Sequence, residues 1–380
     1  MIVPTPHPTH QWRPAVAQPM PFTKAKRPAD IEEIEALAAK LEPALAKTIF
    51  TALQSQKDAV DLDALADAIK AGRIDEALQL LGIQNVAEAV AGVSTALQNA
   101  TFAGGALAAS QIAERMSGVT FAFDQLNPRL ITWLQTYSLD LIRQIDQTTK
   151  EGIRGALVNG MNLGQNPRDT ARQVRAVIGL TDKQAKAVQN FRRELETFHN
   201  RRSAGGYGIG STIDRVNGSQ VLRPDADGLP KDGITERRLR DFRYDGQLNR
   251  AMSTGKPLTP AQIDKMVDAY SRKYLKYRSQ TIARTEAIRT TNFGVQDAWR
   301  QAIEKGKVPE HLVRRTWIVA HDERLCEICS PIPRLNKGGV KFGQPFQTPD
   351  GPQFLPPMHP NCRCTVYIRR FEPSQLKENS

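Results

Sequence analysis

The chain has 380 residues, a net charge of +12 and 6% aromatic residues. That length suits two or three domains, and that composition suits helices packed through Ala, Leu and Ile rather than a large β-structure. No apolar run reaches the roughly eighteen residues of a membrane span, and Met1 to Pro8 has neither the charged nor the apolar region of a secretory signal, so no membrane partner is expected.

The charge is unevenly placed. Residues 1–200 carry as many acidic as basic side chains, so the whole excess lies in residues 201–380. Such a half either presents a solvated basic face or meets an acidic partner, nucleic acid or an acidic protein surface.

In chain order, residues 1–28 form a Pro-rich arm with a basic Lys24-Ala25-Lys26-Arg27 and little periodicity, which predicts flexibility. Residues 29–124 form an N-terminal helical region. Ile31, Ile34, Leu37, Ala38 and Leu41 recur at helical spacing, Pro43 predicts an interruption, and a second helix is expected through Ile49 and Leu53. Two short helices between Ala64 and Leu81 are separated by Gly72, and a longer one from about Val86 to Met116 is expected to weaken at Gly104-Gly105. Val119 to Phe123 suits a short strand or an extended connector.

Residues 125–200 are again helical. Pro128 opens a long helix that ends at the Gly160–Gly164 break, Asn166-Pro167 opens the next, and Thr181 with Gln184 forms a capping-box signal for a third. Residues 201–256 change character. Gly205, Gly206, Gly208 and Gly210 predict a long exposed loop, which lacks the Lys-Ser/Thr pair of a phosphate-binding loop. Basic residues Arg237, Arg238, Arg240 and Arg243 follow.

Residues 257–370 begin with a helix capped by Thr259 and opened by Pro260, with an apolar stripe of Ile263, Met266, Val267, Tyr270, Tyr274 and Leu275. Arg272, Lys273, Lys276 and Arg278 lie largely off that stripe and join the earlier arginines as candidate contacts to an acidic partner. Within Ala283-Arg284-Thr285-Glu286, Arg284 and Glu286 are expected to form a structural ion pair. Residues 371–380 are a tail.

All four cysteines lie between Thr316 and Arg370. Cys326 and Cys329 form a Cys-x-x-Cys knuckle, and His359, Cys362 and Cys364 follow after a Gly- and Pro-rich excursion flanked by β-prone residues. In a chain without a secretory signal this clustering favours a metal site over a disulfide framework, assembled in a reducing compartment. Thiolate and imidazole donors point to structural zinc, which takes four ligands, so five candidates are one too many. Either Cys362 and Cys364, on one face of a strand, both ligate, or His359 replaces one of them. The alternative is a set of reduced cysteines that bind no metal.

Two catalytic readings fail on spacing. His321-Asp322-Glu323 imitates a zinc deaminase, but only two residues separate it from Cys326 and no Pro precedes that cysteine. A nuclease needs a general base and an open hydrolytic metal, and no second His or carboxylate set stands at suitable spacing. No enzyme is expected. The expected architecture is mainly α-helical with a small C-terminal α+β Cys/His module that is zinc-knuckle-like.

These residues resemble a known family, the phage Mu F-like minor head proteins, or phage head morphogenesis family. The resemblance is carried by Ala283-Arg284-Thr285-Glu286, Trp317, Asp322-Glu323-Arg324-Leu325-Cys326-Glu327-Ile328-Cys329 and Pro356-Pro357-Met358-His359-Pro360-Asn361-Cys362-Arg363-Cys364. The stretch Arg240-Asp241-Phe242-Arg243-Tyr244-Asp245 and the helices around Gly160–Leu180 are similar too, so residues 125–370 are covered. Ser330-Pro331-Ile332-Pro333 departs from the glycine that often follows this knuckle in the family. The resemblance implies a minor capsid protein of the virion, assembled in the host bacterial cytoplasm, associated with the portal protein and with capsid or scaffold proteins. It also implies an influence on packaged DNA or its ejection, and no enzymatic activity. The alternative is a DNA-binding or nuclease-like protein delivered with the genome.

Overall fold

The structure is a computed structural model that describes residues 28–81, 91–116, 118–200, 213–216, 219–222, 239–320 and 325–372. All but the last residue of the predicted arm, most of the Gly-rich loop, Arg237, Arg238, His321 to Arg324 and most of the tail lie outside the described residues. Within them the protein is mainly α-helical, with a small antiparallel sheet and a Cys/His cluster towards the C-terminus. Two compact units are formed, one of residues 40–99 and 125–287 and one of residues 1–39, 100–124 and 288–380. We call them the helical unit and the sheet unit.

The helices are α1 (Ala29–Asp58), α2 (Leu62–Lys70), α3 (Ile74–Leu80), α4 (Ala91–Arg115), α5 (Pro128–Asn162), α6 (Pro167–Val177), α7 (Asp182–Glu196), α8 (Asp245–Thr254), α9 (Pro260–Glu304) and the single turn α10 (Ile332–Leu335). Local chemistry sets half of their starts. Asp61 accepts from the Asp63 and Ala64 amides ahead of α2, and Asn127-Pro128 and Asn166-Pro167 cap and open α5 and α6. Thr181 and Gln184 form the predicted capping box of α7, and Thr259 exchanges hydrogen bonds with Gln262 at the start of α9. Each satisfies amide donors that the first helical turn leaves bare.

Pro43 does not interrupt the first helix as its sequence position predicts: α1 runs through it. A proline removes one hydrogen bond of the helix ladder, and the buried stripe of Ile31, Ile34, Ala38, Leu45, Ile49 and Leu53 continues on either side of the gap. Gly104-Gly105 likewise does not weaken α4, for a reason given below. Val119 to Phe123 is neither helix nor strand. The region read as a long loop contains a hairpin of strands β1 (Ile213–Val216) and β2 (Ser219–Leu222), in register Ile213 to Leu222.

The helical unit is built on one apolar core in which Ile49, Leu53, Leu65, Leu157, Val174, Val177 and Leu195 are buried with the predicted stripe of α9. Phe191 and Tyr270 meet with ring centroids 4.5 Å apart. Lys57 is drawn inside, its Nζ 3.2 Å from the Ser271 hydroxyl and 3.3 Å from Asp268. Burial pushes its pKa down from the ordinary lysine value, with Asp268 acting in the opposite direction.

The sheet unit holds a three-stranded antiparallel sheet in the order β4 (Val340–Lys341), β3 (Val313–Ile318), β5 (Thr365–Arg370). Its core gathers Val313, Trp317, Val366 and Ile368 from the strands, Val295, Ala298 and Trp299 from α9, and Ala108 and Ile112 from α4. Here α4 and α9 cross backbone to backbone. A Cβ on Gly294 would overlap the Thr101 carbonyl and the Gly105 amide, and one on Gly104 would overlap the Thr291 carbonyl. The glycines that weaken the helix in sequence are the contact that lets it approach.

Candidate metal centre

The sheet brings the two Cys/His clusters together. In the β3–β5 register Val313 faces Arg370 and Ile318 faces Thr365, so the exit of β3 and the entry of β5 lie at one end of the sheet. Cys326-Cys329 follows that exit and His359-Cys364 precedes that entry. Each cluster is folded by its own turn: the Ser330 amide donates to the Cys326 carbonyl at 3.0 Å, and the Cys362 amide to the His359 carbonyl at 3.1 Å. Asn361, which tolerates the left-handed region better than most residues, takes φ 61° in the second turn.

The donor atoms converge. His359 Nε2 lies 3.0 Å from Cys326 Sγ and 3.3 Å from Cys329 Sγ, and Cys329 Sγ lies 3.7 Å from Cys362 Sγ. Cys326, Cys329 and His359 form one group, and Cys329, Cys362 and Cys364 another, with the donor atoms of each group within 4.8 Å of one another. All four cysteines are free thiols, and Cys329, Cys362 and Cys364 are buried. Both groups consist of thiols and imidazole alone, without a carboxylate. His359 Nδ1 stands 2.9 Å from the Pro360 carbonyl. A proton on Nδ1 is therefore held there, and Nε2 is the nitrogen turned to the cysteines, the orientation that a metal-bound imidazole needs.

The electrostatics agree. Hydrogen bonding with Cys329, opposed by burial and assisted by His359, brings the Cys326 thiol down to about 4. Cys362 is held low by Cys329 and Cys364. Cys329 is pushed up, first by its hydrogen bond with Cys326, and Cys364 is also pushed up, the lowering hydrogen bond of Cys329 being outweighed by Cys362 and burial together. Burial would lower His359, but hydrogen bonds to Cys326 and Cys362 raise it to about 10. Thiolates thus surround a protonated imidazole, whose Nε2 proton a metal ion would displace on binding. With metal–sulfur bonds of about 2.3 Å and metal–nitrogen bonds of about 2.0–2.1 Å, a tetrahedral ion separates its ligands by about 3.5–3.8 Å. The 3.7 Å sulfur–sulfur separation matches that size and the 3.0 and 3.3 Å sulfur–nitrogen separations are somewhat shorter, so with a small outward shift of His359 the cluster is a site able to hold a metal ion.

Three further residues, none singled out by the sequence reading, hold the surroundings. Asn292 of α9 accepts from the Thr365 hydroxyl at 2.6 Å and the Val366 amide at 3.2 Å, pinning the entry of β5. Asn336 bonds the Ile332 and Gln347 carbonyls and the Gln347 amide, each at 2.8 Å, folding the excursion back on itself. Arg315 is fully buried in β3, donates to Gln296 and to the Gln344 and Phe354 carbonyls, and lies 4.9 Å from the Phe346 ring centroid. Burial lowers it to about 10, so it stays charged at neutral pH. Its signal was present: Val313, Arg315 and Trp317 share one strand face, and a charge on an apolar face calls for acceptors.

Other expected site residues fall elsewhere. Arg284 and Glu286 do not pair, because neighbours two apart on a helix point away from each other. Arg284 forks onto Glu42 at 3.1 Å, and Glu286 accepts from the Tyr137 hydroxyl. Arg240 is buried against Asp245 and the Phe242 ring, and Arg278 is buried on the Gly179 and Ile145 carbonyls and the Thr148 and Thr149 hydroxyls. Burial removes both from any contact surface. Lys273 donates to the Arg240 carbonyl at 3.0 Å, Arg243 pairs with Asp241 at 2.6 Å, and Arg243, Arg272 and Lys276 are exposed. No helix of the described residues is long and apolar enough to cross a membrane. No family model matches the chain, and no curated protein or solved structure does.

Proposed function

We propose that this chain is a minor head protein of a phage, acting in head morphogenesis by docking on the portal or the inner procapsid and not by catalysis. The reading is carried by one observation, the ordered series Ala283–Glu286, Trp317, Asp322–Cys329 and Pro356–Cys364. Two of its members, the Cys-x-x-Cys knuckle and the His359–Cys364 segment, supply all the donors of one cluster. The bound ion is zinc, for which closed thiolate and imidazole sets are the usual structural ligands. It is held by four of Cys326, Cys329, His359, Cys362 and Cys364, and it supplies folding free energy to loops that have little core of their own. The exposed Arg243, Arg272 and Lys276 suit an acidic portal or capsid surface, or packaged DNA.

Particle composition tests the reading. Procapsids and mature heads are purified from cells producing the phage that encodes this chain, and their proteins are quantified by mass spectrometry. A few copies per head, retained when portal complexes are isolated, are expected. Absence from both particles refutes the proposal. DNA cleavage lost on His359→Ala substitution, with folding intact, would replace it by the nuclease-like alternative.

A further inference from the structure

The cluster offers five donors where a tetrahedral ion takes four, and the geometry ranks them. We infer that the metal is held by Cys326, Cys329, His359 and Cys362, and that Cys364 is a fourth thiol, outside this set, that replaces Cys326 when that ligand is lost. The inference rests on the metal-binding reading and adds the identity of the ligands.

Three side chains form the middle of the cluster. Cys329 belongs to both groups of donor atoms. His359 Nε2 lies 3.3 Å from Cys329 Sγ, and Cys329 and Cys362 are 3.7 Å apart. These are two edges meeting at Cys329, of about the length a tetrahedral ion sets between its ligands. The all-cysteine set would leave out His359, although its Nε2 is already aimed at Cys326 and Cys329 by the Pro360 carbonyl behind it. His359 is therefore a ligand.

Cys326 and Cys364 compete for the fourth vertex from opposite sides. Cys326 shares a group with His359 and Cys329, whereas Cys364 shares one with Cys329 and Cys362 and none with His359. Two observations favour Cys326. It lies 3.0 Å from His359 Nε2, and its sulfur accepts the Cys329 backbone amide at 3.3 Å, a bond that stabilises a thiolate. Cys364 is buried directly ahead of β5. Cys326 is the only cysteine of the four that is not buried, and so the ligand that solvent reaches first. A second sulfur already within 4.8 Å of Cys329 and Cys362 stands ready to close the site.

Cobalt(II) and zinc(II) titrations of the full chain under reducing conditions test this, because the sulfur-to-cobalt charge-transfer intensity counts thiolates. The wild-type chain is expected to bind one ion with three thiolates. Cys364→Ser should keep that intensity and affinity. Cys326→Ser should also keep three thiolates, with Cys364 recruited. The double variant should fall to two, with affinity lowered by more than the roughly 10–100-fold known for losing even an outer partner of a ligand. Circular dichroism checks folding of each variant, and the wild-type thiolate count needs no variant at all. Four thiolates in the wild type, or a thiolate lost in Cys364→Ser, overturns the ligand set and leaves metal binding standing. Two thiolates in Cys326→Ser overturn the replacement. Folded wild-type chain that binds neither ion overturns both the inference and the metal reading beneath it.

Discussion

Replacing Gly294 by alanine separates local propensity from tertiary contact, because the two predict opposite signs. In an exposed helix the change gains about 0.8–1.0 kcal/mol. At Gly294 the new methyl would overlap the Thr101 carbonyl and the Gly105 amide, backbone atoms that no rotamer change moves aside. The helices must part, loosening Val295, Ala298 and Ala108 in the core they share. Overpacking costs typically 1–3 kcal/mol, and a backbone clash belongs at the upper end. Subtracting the propensity gain leaves a destabilisation of about 2 kcal/mol. A chain of two compact units is not expected to unfold in one step, so native-state hydrogen exchange is the appropriate assay. Amides of β3 and β5 should exchange roughly 30-fold faster, while those of α6 and α7 stay unchanged. Gly246→Ala, in α8 with open space around the site, is the control and should be neutral or stabilising by up to about 1 kcal/mol. A neutral or stabilising Gly294→Ala would refute the close crossing.

Three other perturbations address the buried charges. Arg278→Met leaves the Gly179 and Ile145 carbonyls without their donor, and native-state hydrogen exchange in the helical unit should show a loss of about 1–3 kcal/mol. A double-mutant cycle on Arg284 and Glu42 should return a coupling of about 0.2–1 kcal/mol, whereas the cycle on Arg284 and Glu286 should return none. Lys57 has a folded pKa below its unfolded value of 10.5. The unfolded chain therefore holds the proton to higher pH, and stability should rise with pH between the two values. Lys57→Met should flatten that rise in urea midpoints measured across the alkaline range, and an unaltered slope would count against the burial of its ammonium.

Much of the helical organisation was readable without coordinates because it rests on local chemistry. Asn127-Pro128, Asn166-Pro167, Thr181 with Gln184 and Thr259-Pro260 satisfy or dispense with amide donors within a few residues, and each starts a helix where its spacing predicts. The cysteine and histidine types likewise named the chemistry of the site before its geometry was known. What failed were inferences in which a local preference meets a distant partner. Pro43 and Gly104-Gly105 read as breaks, yet packing continues both helices through them. Arg284 and Glu286 read as partners by proximity in sequence, yet helical rotation sends one to Glu42 and the other to Tyr137.

The sequence by itself determined a helical chain, a basic C-terminal half and a set of soft metal donors, since these depend on residue type and short spacing. Only the tertiary structure decided which donors meet. Cys326 and Cys364 are separated by the whole excursion, and the antiparallel register of β3 and β5 brings their loops to one end of the sheet. It also decided which arginines work inside the fold. Arg278 and Arg315 carry the same guanidinium as the exposed Arg272, but carbonyls from distant segments surround them, and that enclosure turns a surface charge into a clamp.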